Sequence, residues 1–91
     1  MTALIKTVKI NNKLGMHARP AMLFAEVAGK YNAKITVGHA GHEPVDAKSI
    51  MQLMMLAATS GTLLTLTANG EDAELAIEEL EILVQNGFNE Q

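Results

Sequence analysis

Three short stretches of this chain alternate apolar with polar residues, and each can bury only one face. Val8 and Ile10 alternate with Thr7 and Lys9, in a run that begins at Lys6. Ile35 and Val37 alternate with Lys34 and Thr36, and Leu64, Leu66 and Ala68 with Thr65 and Thr67. A period of two marks a strand, and a strand with one apolar face needs cover from one side only. A fourth, shorter strand runs through Val45, where Pro44 suits only an edge or a strand end. Gly38-His39-Ala40-Gly41 reads as the hairpin connection that leads into it.

Helical spacing fills the intervals. Pro20, Phe24, Val27, Ala28 and Tyr31 fall on one stripe, closed by Tyr31 and Asn32. Ser49 opens a nearly all-apolar helix that stops at Ser60-Gly61, with Leu53, Leu56 and Ala57 facing the core and Ile50 at its boundary. Ala73, Ala76, Ile77, Leu80, Leu83 and Val84 form the buried stripe of a third helix, and Asn86-Gly87 supplies its end. The order is β-α-β-β-α-β-α. The fold this order predicts is α+β, a two-layer open-faced sandwich: a four-stranded antiparallel sheet with three helices on one face. With 91 residues, no linker and no repeat, the expectation is one domain over 1–91, with a radius of gyration of roughly 12 Å.

Composition excludes several functions. There is no cysteine, so neither disulfides nor a zinc–thiolate site enters. No apolar run reaches the ~20 residues that span a bilayer, and no signal-peptide pattern opens the chain, so a cytoplasmic protein away from membranes is expected. All seven Lys and Arg lie between Lys6 and Lys48, whereas seven of ten acids lie from Glu71 to Glu90. The acidic block reads as the solvated face of the last helix. The first half is mildly basic, which suits phosphate or an acidic partner. With Phe24, Tyr31 and Phe88 as the only aromatics, there is no stacking platform for nucleic acid.

The chemistry concentrates in Gly15-Met16-His17-Ala18-Arg19-Pro20. Proline is tolerated in a helix only in the first turn, so the helix begins here and His17 sits at or next to its N-cap. The N–H groups of a first turn, a histidine and the fixed positive fork of Arg19 together make a receptor for a phosphoryl dianion. The positive end of the helix disfavours imidazolium, which is the state that cannot attack phosphorus. The same donors stabilise the ring once it carries phosphate. A P-loop and clustered carboxylates for magnesium are both absent, so the chain receives and passes on phosphate while a larger partner supplies the catalysis. An ordinary capping histidine is the competing explanation.

The stretch Gly15 to Pro20, followed by Ala21, resembles the active-site motif of the HPr family, phosphocarriers of the bacterial phosphoenolpyruvate phosphotransferase system. Val45-Asp46-Ala47-Lys48-Ser49-Ile50-Met51 resembles that family's regulatory-serine region, and the element order agrees along essentially the whole chain. The resemblance implies that His17 is phosphorylated on Nδ1, that Arg19 stabilises the phosphoryl group, and that the backbone amides of Ala18 and Arg19 donate to it. It also implies Enzyme I as donor and Enzyme IIA as acceptor, with no bound cofactor. Asn12 to Met22 and Asn86-Gly87-Phe88 look most like the nitrogen-related branch, NPr, and Glu26 leans the same way. Lys48 to Met51 and Met54-Met55-Leu56 also resemble carriers modified by an HPr kinase/phosphorylase.

Ser49 is explained by helix capping alone; its functional reading is regulatory phosphorylation, which adds nearly two negative charges at a docking surface. Met51, Met54 and Met55 are left over on the second helix. They are either core or, with Met22 and Ile50, an adaptable face for successive partners. His39 and His42 flank the hairpin turn and, lacking a third ligand, are read as loop residues with no metal site. Two other classes compete with a monomeric carrier. One is a ferredoxin-like ligand-sensing module, which leaves His17 and Arg19 unexplained. The other is a regulatory binder acting through the methionine face.

Overall fold

The computed structural model describes residues 3–89. The elements follow the order β1 (Leu4–Lys9), α1 (Ala18–Gly29), β2 (Lys34–His39), β3 (His42–Asp46), α2 (Ile50–Met55), β4 (Leu63–Asn69) and α3 (Ala73–Gln85), with a 3-10 turn at Gly87–Asn89. The four strands form one sheet in the order β1-β4-β2-β3, antiparallel throughout. This is the α+β open-faced sandwich expected from the alternation. The radius of gyration is 11.6 Å.

Period-two patterning decides which face is covered. Val8, Ile35, Val37, Leu64, Leu66 and Ala68 are buried beneath the helices. On the other face Ile5 pairs with Thr67, Thr7 with Thr65 and Thr36 with Thr67, a threonine-rich surface that water can satisfy. The core is closed by Pro20, Ala21, Phe24, Ala25 and Ala28 of α1, Leu53 of α2, and the α3 stripe Ala73, Ala76, Ile77, Leu80, Leu83 and Val84. Each large aliphatic or aromatic side chain removed from water there contributes about 1.5–3 kcal/mol. Phe88, buried to 1% exposure just after α3, plugs the same core.

Four expectations need correction. The buried stripe of α1 is turned towards Ala21 and Ala25, leaving Val27 and Tyr31 only partly buried, and the helix ends at Gly29 rather than at Tyr31-Asn32. The last turn tightens, with the Lys30 and Tyr31 N–H groups donating to the Val27 and Ala28 carbonyls three residues back, while the Tyr31 hydroxyl donates to Glu79 of α3, whose other carboxylate oxygen takes Lys30. Secondly, β2 continues through Gly38 and His39, so the hairpin turn is only Ala40-Gly41 and His39 pairs with His42. Thirdly, α2 stops at Met55, well short of Ser60-Gly61. Ala57 turns left-handed (φ 51°), which no side chain at that position announces. Fourthly, Ala57 is consequently exposed rather than core, and Ile50 stands 44% exposed. Leu53 and Leu56 are buried as expected.

Asp72, at the start of α3, accepts the N–H groups of Asn32 (2.7 Å) and Ala33 (2.8 Å), pinning the α1–β2 connection. With the Glu79 contacts, this ties α3 to the end of α1 at two points.

Candidate functional site

The site is built by a loop before α1. The chain leaves β1, buries Ile10 and folds back at Asn12–Gly15, where the Gly15 N–H donates to the Asn12 carbonyl at 3.2 Å. The Asn12 side chain, only 6% exposed, answers by donating from Nδ2 to the Gly15 carbonyl at 2.7 Å. Gly15 is left-handed (φ 71°), and a Cβ there would lie 2.4 Å from the Ala58 carbonyl oxygen. Only glycine fits, on both counts. The next residue, Met16, is buried and donates its N–H to that same Ala58 carbonyl at 2.9 Å. The early exit from α2 is what brings Ala58 to this loop.

His17 follows as the N-cap of α1, with extended backbone (φ −88°, ψ −169°). Its N–H donates to the Gly15 carbonyl at 3.0 Å, and its own carbonyl takes the Ala21 N–H at 3.0 Å. The residue is half-buried, while Ala18 and Arg19 are exposed as the first two helical residues. Helical geometry leaves the N–H groups of those two positions without intrahelical acceptors. The third helical residue is Pro20, which has no N–H at all. The donors at this helix end are therefore Ala18 and Arg19, adjoining the His17 backbone. Arg19 also lines a cleft of about 640 Å³ with Asn11, Asn12, Lys13, Leu14, Gly87 and Asn89. Two cationic side chains, Lys13 and Arg19, thus face one concavity at a helix N-terminus. Such an arrangement accepts an anion.

The remaining candidates lie on α2 and the outer side of α1, which pack together. Ser49 is the N-cap of α2, and its hydroxyl accepts the Gln52 N–H at 3.2 Å. Met22 and Met54 are each 45% exposed, Met51 74% and Met55 64%, so these methionines are surface rather than core. His39 presents its two ring nitrogens to the carbonyls of Ala40 and Leu56, each at 3.0 Å. Among the described residues no three of His, Cys, Asp or Glu come together as metal ligands, and no helix is long and apolar enough to cross a membrane.

Asn12 and Ala58 did not emerge from sequence reasoning. Asn12 reads there as one more turn former beside Asn11, and Ala58 contributes only a carbonyl. Asn11 is likewise structural, donating from Nδ2 to the Gln85 carbonyl at 2.9 Å and so joining this loop to the end of α3.

Comparison with known proteins converges on one group. The family model described as "PTS HPr component phosphorylation site" matches residues 4–86. The phosphocarrier protein HPr of Pseudomonas aeruginosa is 47% identical over 83 residues, which cover 91% of this chain and 92% of that protein. The phosphocarrier protein NPr of Shewanella violacea is 39% identical over 90 residues, covering 99% and 98%. A crystal structure of HPr from Thermoanaerobacter tengcongensis superposes with a TM-score of 0.89 at 41% identity, covering 100% of this chain and 99% of the other.

Proposed function

Given that the chain belongs to the HPr family of phosphocarriers of the phosphotransferase system, we propose that His17 is the residue that carries the phosphoryl group. The observation that carries this reading is the position of His17 at the N-cap of α1, directly before Ala18 and Arg19, whose amides open the helix. Neutral imidazole attacks phosphorus through its Nδ1 lone pair, the bond from phosphorus to the donor breaks, and the donor keeps the electron pair. Transfer to the acceptor reverses the step. Phosphoryl transfer asks little covalent chemistry of a protein beyond placing the nucleophile and neutralising oxygen charge. Ala18, Arg19 and the neighbouring cleft supply both, and the partners supply the rest. The donor in this reading is Enzyme I, charged by phosphoenolpyruvate, and the acceptor an Enzyme IIA, each met in turn by a monomeric carrier.

The carrier serves the nitrogen-related branch of the system. The run from Asn12 to Met22 and the Asn86-Gly87-Phe88 ending support this, as does a relative named NPr that matches 99% of the chain. A second reading, a sugar-system HPr with regulatory phosphorylation of Ser49, is supported by the relative named HPr from Pseudomonas aeruginosa and by the exposed Lys48 and Ile50 on either side of the half-buried Ser49. Charging the protein with phosphoenolpyruvate, magnesium and either a nitrogen-type or a sugar-type Enzyme I separates the two. The proposal expects much faster phosphorylation by the nitrogen-type enzyme; preference for the sugar-type enzyme overturns the branch assignment.

A further inference from the structure

The carbonyl of Gly15 holds two donors at once: the backbone N–H of His17 at 3.0 Å and the buried side-chain amide of Asn12 at 2.7 Å. From this shared acceptor we infer that Asn12 is a positioning residue for phosphoryl transfer, setting the orientation of His17 through the Gly15 peptide. The inference rests on His17 being the acceptor. Two features make the arrangement more than a local turn.

The first is that the Gly15 carbonyl has little freedom of its own. Left-handed backbone at Gly15 is only one of several conformations open to glycine. The return bond from the Gly15 N–H to the Asn12 carbonyl closes a ring with the Asn12 side chain, so one residue grips both polar groups of Gly15. On the far side, the Ala58 carbonyl fills the space a Cβ at Gly15 would need and holds the Met16 N–H. Between these two restraints the Gly15–Met16–His17 backbone is fixed. Without the Asn12 amide, Gly15 keeps the bond from its N–H to the Asn12 carbonyl, but its own carbonyl loses the side-chain donor.

The second is where the restraint ends. His17 is the last residue before helical geometry, so its φ and ψ are set by the loop on one side and by α1 on the other. The loop bond to its N–H governs how the ring stands relative to the Ala18 and Arg19 amides. Asn12 also lines the cleft that contains Arg19, although its amide is turned to the loop backbone. Its side chain needs a donor that reaches the Gly15 carbonyl. Aspartate has the same shape but no N–H to give.

The test uses the intact protein with phospho-Enzyme I in rapid-mixing experiments, comparing the parent with Asn12→Asp, Asn12→Ala and His17→Ala. Asn12→Asp and Asn12→Ala are expected to slow transfer at saturating carrier about 10-fold or more, with the half-saturating concentration changed less than about two-fold. Amide exchange measured by NMR on the folded fraction gives a second reading that does not depend on folding yield. The His17 N–H exchanges faster in both variants while the Ala21 N–H, bonded within α1, does not. Transfer at the parental rate, or a His17 N–H protected as in the parent, overturns the role of Asn12. Undiminished transfer by His17→Ala instead overturns the assignment of the acceptor, so the two failures are distinct.

Discussion

Gly15 carries the tightest single-residue constraint near the site. Its left-handed φ and the 2.4 Å approach a Cβ would make to the Ala58 oxygen act together. Gly15→Ala should therefore cost about 2–4 kcal/mol, combining backbone strain with overpacking. Urea denaturation measures this; a loss under 1 kcal/mol would mean the loop yields by other means. Asp72 offers a different kind of test. Its carboxyl is held below the ordinary value of 3.8, first by the Asn32 N–H, with burial opposing and the Ala33 N–H assisting. A carboxylate lowered in the folded chain adds stability above its ordinary value and loses it as pH falls through the folded one. Asp72→Asn should lower the melting temperature at pH 7 and flatten its decline between about pH 5 and pH 2. An acid limb as steep as the parent's would show that Asp72 does not contribute to it.

Among the elements, α2 departs furthest from its expected limits and carries the exposed methionines Met51, Met54 and Met55. Ser49 caps six helical residues, so Ser49→Ala should cost about 1 kcal/mol, whereas Ser49→Asp keeps an acceptor and should stay within about 0.5 kcal/mol of the parent. If Ser49 lies on the docking surface, the aspartate variant binds Enzyme I more weakly at nearly unchanged stability; unchanged affinity counts against that role. Met51 and Met54 stand in water on the same helix. Met51→Asp and Met54→Asp should leave the melting temperature within a few degrees while slowing transfer from Enzyme I about 10-fold or more, since desolvated anchors dominate interface energies. Normal transfer would remove this face from the docking surface. The start of α2 was legible because a serine cap before an apolar run has a local cause. Its end was not. Ala57 adopts a conformation ordinarily left to glycine, and what stands there is the loop to β4 delivering the Ala58 carbonyl to Gly15 and Met16.

For the molecule as a whole, alternation in β1, β2 and β4 sufficed to place the sheet and its covered face, since the core lies on the side those residues point to. The stripe of α3 was legible for the same reason. What alternation and helical spacing do not carry are the ties between distant segments: Asp72 to Asn32 and Ala33, Glu79 to Tyr31, Asn11 to Gln85. Each depends on a polar group meeting a partner that only the finished topology brings near. The site divides in the same way. Pro20 dates the start of α1 and so places His17 and Arg19, but the grip of Asn12 on Gly15 required the folded loop. Receipt of the phosphoryl group by one imidazole, that of His17, is checked by incubation with phosphoenolpyruvate, magnesium and Enzyme I, followed by mass spectrometry under alkaline conditions. A single acid-labile, base-stable phosphoryl adduct is expected on His17 and none on His17→Ala; an adduct on another residue, or undiminished transfer by His17→Ala, would overturn the assignment.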